Sequence, residues 1–200
     1  MVNNISISVV SLFYNLQLIA YAGSDGIAAY GIMTYVSFLF TAVFWGYISG
    51  VAPIISFHYG AENHMELKSL LRKSLVLVFG CSCLMFLLSQ LLARPISSVY
   101  AGYDRELMQM SIHGFRLFAG NFLFAGLSIF LSSFFTALNN GLLSAILSFS
   151  RVFLFQIPAV LLLPCLWDLD GIWLSVGLAE CLNVLLGSCF LLKNKKRYRY

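Results

Sequence analysis

Long apolar runs separated by short polar turns dominate this chain. A membrane-crossing helix needs about 20 mostly apolar residues, and six stretches meet that length. The first is Val2–Ala20, ended by the turn Gly23-Ser24-Asp25-Gly26. The second, Ile27–Tyr59, is too long for one perpendicular crossing, so it is expected to tilt, bend or project from the bilayer. Pro53, with no N–H and a ring that clashes with the preceding turn, is the expected bend. The third covers Ser74–Ala93 and is expected to end at Arg94-Pro95. A polar, partly helical connection through Met110 follows, with Asp104, Arg105 and Glu106. The fourth covers Ile112–Leu138 and stops at the tight turn Asn139-Asn140-Gly141. The fifth, Leu142–Pro164, contains Pro158, and the turn Trp167–Gly171 leads to the sixth, Ile172–Leu192.

Between the second and third runs, Asn63 followed by Glu66 has the spacing of a helix start. Leu67, Leu70 and Leu71 share one face there, with Lys68, Arg72 and Lys73 around them. That pattern predicts a short amphipathic lead-in lying at the membrane interface. The runs are continuous and lack the alternation of a lipid-facing barrel strand, so helices are the assignment. The fold class is all-α: a polytopic membrane protein built as a six-helix bundle.

Composition agrees. Hydrophobic residues make up 60% of the 200 positions and charged residues 10%, against about 25% charged in soluble domains. The net charge of +4 does not indicate a nucleic-acid surface. Five of the twelve basic residues, Lys193, Lys195, Lys196, Arg197 and Arg199, crowd the end of the chain. They read as a membrane-adjacent anchor, and no nucleic-acid partner is expected.

Lys and Arg also orient the bundle. Lys68, Arg72, Lys73 and the five terminal cations would share one side, eight against Arg94 and Arg105 on the other. The richer side is the cytoplasmic one. Both termini are then cytoplasmic, residues 193–200 form a basic cytoplasmic tail after a bundle of 1–192, and the location is the plasma or inner membrane. The start lacks the basic leader and cleavage site of a signal peptide. It opens almost inside a helix, as a chain that begins midway through a larger protein would.

Little here suggests an enzyme. The five cysteines are odd in number, sit in or at the ends of apolar runs and form no Cys-x-x-Cys, which argues against a disulfide framework or metal site. His58, His64 and His113 have no ligand spacing and read as interfacial polar residues. No phosphate-cradling glycine loop or nucleophile elbow occurs. Glu180 is the one carboxylate well inside a span. No catalytic residue and no cofactor is expected.

Polar residues within spans are costly and count as functional candidates. Those at such depth are Asn15, Gln17, Asn121, Arg151, Gln156, Glu180 and Asn183. Asn15, Gln17, Asn121, Gln156 and Glu180 are the candidates to meet a substrate. Ten Tyr, eighteen Phe and three Trp could supply aromatic walls for flat cationic ligands, although such rings more often pack helices or face lipid. Small residues cluster at Ala119-Gly120, Ala125-Gly126 and Ser128, and at Gly46, Ser49 and Gly50, where helices can approach closely.

Arg151 and Glu180 attract each other on depth alone. Arg151 lies nine residues into the fifth run, roughly 14 Å, and Glu180 twelve residues from the end of the sixth, roughly 18 Å. The short intervening turn makes the two helices antiparallel neighbours. A long Arg side chain spans the difference. A structural ion pair clamping the two helices is expected, with exchange of Arg151 for a proton or cationic substrate as the alternative role.

The segment Ala28-Ala29-Tyr30-Gly31-Ile32, followed by Pro53-Ile54-Ile55-Ser56-Phe57-His58-Tyr59-Gly60-Ala61-Glu62-Asn63, resembles the multidrug and toxic compound extrusion (MATE) family. There the Tyr-Gly-Ala-x-Asn element closes the second helix of a six-helix lobe, and a basic stretch follows it, as Lys68 to Lys73 do here. Thr136-Ala137-Leu138-Asn139-Asn140 is similar to the family's turn between the fourth and fifth helices.

The resemblance covers nearly the whole chain. It implies secondary export of small organic cations or other amphipaths in exchange for Na+ or H+, by two lobes facing each other across a cavity. This chain would supply one lobe, by its basic tail the C-terminal one. Its partners would be a small cationic or amphipathic substrate, the lipid bilayer, and a missing N-terminal lobe or a second copy. Transport by the chain alone is not expected. One departure stands out: the acids some members carry in the first and fourth helices of that lobe are absent here. Two other readings compete. A lipid-linked oligosaccharide flippase of similar architecture would want a more cationic cavity than Arg151 and Arg116 provide. A non-transporting remnant of a truncated gene is distinguished by the reading frame upstream.

Overall fold

A 59-residue helix opens the fold, α1 (Val2–Gly60). Straight, it would run about 88 Å, far beyond a hydrocarbon core of about 30 Å. It folds back at Gly23, whose φ of 61° and ψ of −147° suit a residue without Cβ. Residues 2–22 and 24–60 thereby become two spans, and the turn between them is sharper than the four-residue one the sequence suggests. The structure, a computed structural model, describes residues 2–198, with side-chain burial for 8–195 and 198. The described secondary structure is helical throughout. Among the described residues five helical stretches are long and apolar enough to cross a membrane, α1 among them; with the fold at Gly23 the bundle has six, and the protein is a multi-pass membrane protein.

Pro53 does not break α1, which keeps helical dihedrals from Ser24 to Gly60. Pro95 likewise lies inside α2 (His64–Ala101), so the third span does not stop at Arg94-Pro95. The physical reason is local. A proline removes one backbone bond, and the bonds of the flanking turns, with the packing of the helix on its neighbours, outweigh that loss. Asn63 caps α2, its side chain accepting the Glu66 N–H at 3.2 Å. The basic stretch is therefore the first turns of the span and not a separate interfacial helix. Burial along α2 recurs every three or four residues, through Leu67, Leu71, Ser74, Val78, Ser82, Met85, Ser89, Ala93 and Ser97. The small serines let neighbouring helices close on that face.

The fourth span starts earlier than its apolar run. Asp104 caps α3 (Arg105–Phe118), its Oδ1 accepting the N–H groups of Glu106 at 2.8 Å and Leu107 at 3.3 Å. A break at Ala119 precedes α4 (Gly120–Ala137). Asn139, at φ 57°, turns the chain, and Asn140 caps α5 (Gly141–Phe149) through the Leu143 N–H. The fifth span then widens into a π-helix over Ser150–Gln156, in which Ile157 N–H donates to Val152 O, five residues back. It narrows again as α6 (Ile157–Leu162). Pro158 sits directly after the widened turn. The last helix, α7 (Pro164–Tyr198), kinks at Trp167 and Asp168, the latter at φ 46°.

Helix α4 lies inside the bundle, touching α7, α2, α1 and α5. Close approaches hold it there: a Cβ on Gly126 would sit 2.4 Å from the Phe44 ring. Gly177 faces the Asn121 backbone and Gly187 faces Leu131, so α4 and α7 run parallel. Two ends of the bundle are defined by contacts. At one, Asn140 Nδ2 donates to the Tyr198 hydroxyl at 2.6 Å, and the Tyr198 ring meets Tyr59 edge-on at 5.7 Å. Residues 193–198 thus continue α7 as helix. At the other end, His113 Nε2 lies 2.9 Å from Asp170 Oδ1 and ties α3 to α7.

Candidate functional site

The deepest polar groups gather where the first, fifth and sixth spans meet. Ser175 donates its one hydroxyl proton to Ile172 O at 2.6 Å. It therefore accepts from the fully buried Tyr14 hydroxyl, also 2.6 Å away. The Gln156 side chain reaches the same Tyr14 oxygen. Tyr30 stacks on Tyr14 with ring centroids 4.9 Å apart and planes 4° from parallel, and the buried Trp173 lies beyond it. The result is an aromatic wall with a hydrogen-bonded edge.

Glu180 stands within electrostatic range of Tyr14. Its side chain is 4% exposed, that of Arg151 34%, and Arg151 Nε lies 2.8 Å from Glu180 Oε1. The N–H does not point at the oxygen, so the contact is a charge pair and not a directed hydrogen bond. Glu180 Oε2 is buried with no hydrogen-bond partner. Three residues on, Asn183 donates to Ser128 Oγ at 2.7 Å while its own Oδ1 is left over. Asn121 Oδ1 is also buried and unpartnered. Buried acceptors without donors are uncommon in native proteins, and here three lie on facing helices, α4 and α7.

The π segment shapes this site. Arg151 and Gln156 are five residues apart, which on an α-helix places side chains about 140° apart. The wider turn, bonded i to i+5, brings both toward the same side, where one meets Glu180 and the other Tyr14.

The remaining candidates lie elsewhere. Asn15 is exposed and shares a shallow groove on α1 with Ser8, Ser11 and Leu12; Gln17 is half-buried. Neither joins the cluster. Tyr14 and Ser175, central to it, escape sequence reasoning because Tyr14 is one of ten tyrosines and Ser175 is one small residue on an apolar helix. Their signal is present but faint: Tyr14 is flanked by Asn15, and Ser175 precedes Glu180 by five. Among the described residues no group of three or more His, Cys, Asp or Glu is placed to hold a metal ion.

Comparison with known proteins gives consistent results. No match is found among curated proteins. Among solved structures, a MATE protein in its straight conformation superposes with a TM-score of 0.90 at 16% identity, covering 99% of this chain and 44% of that one. An inward-facing multidrug resistance MATE family transporter of the MOP superfamily gives 0.89 at 16% identity, covering 97% and 45%. The Vibrio cholerae MATE transporter VcmN in its bent form gives 0.87 at 17%, covering 96% and 43%. At such identities the likeness is one of fold, and this chain spans less than half the length of each. The family model of MatE matches residues 1–162. MatE proteins are transporters and not enzymes, and with most of its length matched this chain belongs to the MatE family.

Proposed function

We propose that this chain is one six-helix lobe, residues 1–192, of a secondary transporter that exports small organic cations or amphipaths by Na+- or H+-coupled antiport. The observation that carries the reading is the Arg151–Glu180 pair with its leftover buried acceptors, well inside the fifth and sixth spans of a MatE fold. Charge at that depth is costly unless it faces a partner or a water-filled path. Arg151 is exposed enough to be reached, and Glu180 Oε2 has capacity to receive a proton or cation. Release of Arg151 by the incoming cation would couple the two. The polar stripe Ser8, Ser11 and Asn15 on an exposed face suits a wall turned to a central cavity, opposite a second lobe.

The second lobe is a separate N-terminal half or a second copy. Ethidium accumulation in cells tests this. The 200-residue chain alone is expected to leave accumulation unchanged, and co-expression with a complementary lobe to lower it. Robust efflux by the monomeric chain would overturn the half-transporter reading. The proposed location is the cell membrane with both termini cytoplasmic. Cysteines placed at Ser24 and Asp168 are expected to react with an impermeant maleimide from outside. Labelling from the cytoplasmic side alone would reverse the topology.

A further inference from the structure

Helix α2 carries a second feature that the transport cluster does not use. From Val76 to Leu92 every exposed side chain on it is apolar: Val76, Leu77, Phe79, Leu84, Leu87 and their neighbours. Cations bracket that stretch, Lys73 at one end and Arg94 at the other, 21 positions apart. The distance is about 32 Å along the helix, close to the hydrocarbon thickness of about 30 Å. Lys68, Arg72 and Lys73 therefore stand at headgroup height. They line one surface groove with Met65, Val76 and Leu77. Lys68 and Arg72 are one turn apart, and Val76 follows Arg72 by another turn, so the cations sit directly above the apolar stripe. Among the described residues the charge pairs within 4 Å are His113–Asp170 and Arg151–Glu180, so neither Glu62 nor Glu66 forms an ion pair with any of the three.

We propose that this face of α2 binds an anionic phospholipid. The headgroup phosphate is held by Lys68, Arg72 and Lys73, and the acyl chains lie along Val76 and the stripe beneath it. Charge complementarity selects the headgroup. The unbroken apolar run selects a lipid over a free anion, which would need only the cations. A protein partner is disfavoured because the exposed stripe offers it no polar group across the whole membrane thickness.

Native mass spectrometry of the full chain in detergent tests the proposal, with phosphatidylglycerol and phosphatidylcholine of identical acyl chains supplied in equal amounts. Phosphatidylglycerol is expected to be retained preferentially. Lys68→Gln, Arg72→Gln and Lys73→Gln together are expected to cut its retention about 100-fold, at about fivefold per cation. Arg72→Gln alone should give about fivefold and serves if the triple variant fails to fold. Arg105→Gln, an exposed cation elsewhere, should change nothing. Equal retention of the two lipids, undiminished retention in the variants, or an equal loss on Arg105→Gln would each overturn the site. Glycerol phosphate without acyl chains should not compete; effective competition would make it a free-anion site and overturn the lipid assignment.

Discussion

Glu180→Gln is expected to remove most of the folded protein from the membrane, and adding Arg151→Gln to restore much of it. The single substitution keeps the shape of Glu180 but leaves the Arg151 guanidinium, 2.8 Å away, without its counter-charge. An unpaired Arg at the centre of a membrane helix costs about 2.5–3.5 kcal/mol on insertion scales. One third of the Arg151 side chain is exposed, which relieves part of that. Even about half the cost, near 1.4 kcal/mol, changes an equilibrium about tenfold. Fluorescence-detected size exclusion of a tagged chain should show the folded peak falling about tenfold in Glu180→Gln. In the double variant no charge is left to strand, so the peak should return to within about threefold of the parent. A buried ion pair can be replaced by neutral groups at little cost, whereas breaking it from one side is expensive. A double variant no better than the single would refute the clamp and leave Glu180 acting through transport alone.

Gly171→Ala is expected to be the most damaging of the conservative substitutions. A Cβ there would lie 2.5 Å from the carbonyl carbon and oxygen of Leu163 and 2.7 Å from the Pro164 nitrogen. These are backbone atoms at the junction of the fifth and sixth spans, and they cannot swing aside as a side chain does. The two helices must part by a large fraction of an ångström, which also loosens the approach of Arg151 to Glu180. Overpacking of a tight contact costs about 1–3 kcal/mol. The apparent melting temperature in detergent should fall clearly. Gly46→Ala is the matched control. Gly46 is an exposed position on α1, and an added methyl group there would meet nothing within 4 Å. Replacing a helical Gly by Ala gains roughly 0.5–1 kcal/mol. It should leave the melting temperature unchanged or raise it. Equal effects of the two substitutions would show that the Leu163 contact does not constrain the turn.

These expectations rest on features that differ in how readily they are seen in the chain. Six apolar runs, the Asn63 cap and the turns at Gly23 and Asn139 follow from local chemistry: apolar length, Asn as a side-chain acceptor, and a Gly or Asn tolerating positive φ. The Tyr-Gly-Ala-x-Asn element ending at Asn63 points to the family for the same local reason. Proline is the misleading signal. At Pro95 the local rule predicts a stop, but the helix runs on to Ala101 because the surrounding backbone bonds outweigh the one that is lost.

By itself the sequence determined the helical class, the number of spans and the shared depth of Arg151 and Glu180, because burial in lipid acts on each segment independently. The tertiary structure alone decided which faces meet. The π turn that brings Arg151 and Gln156 to one side, the Tyr14–Ser175 bond across 161 positions and the His113–Asp170 tie all depend on rotation and register between helices. Those are set by close packing at Gly126, Gly171 and Gly177, and no periodicity within a single apolar run encodes them, since a helix apolar on every side has no preferred face until a neighbour supplies one.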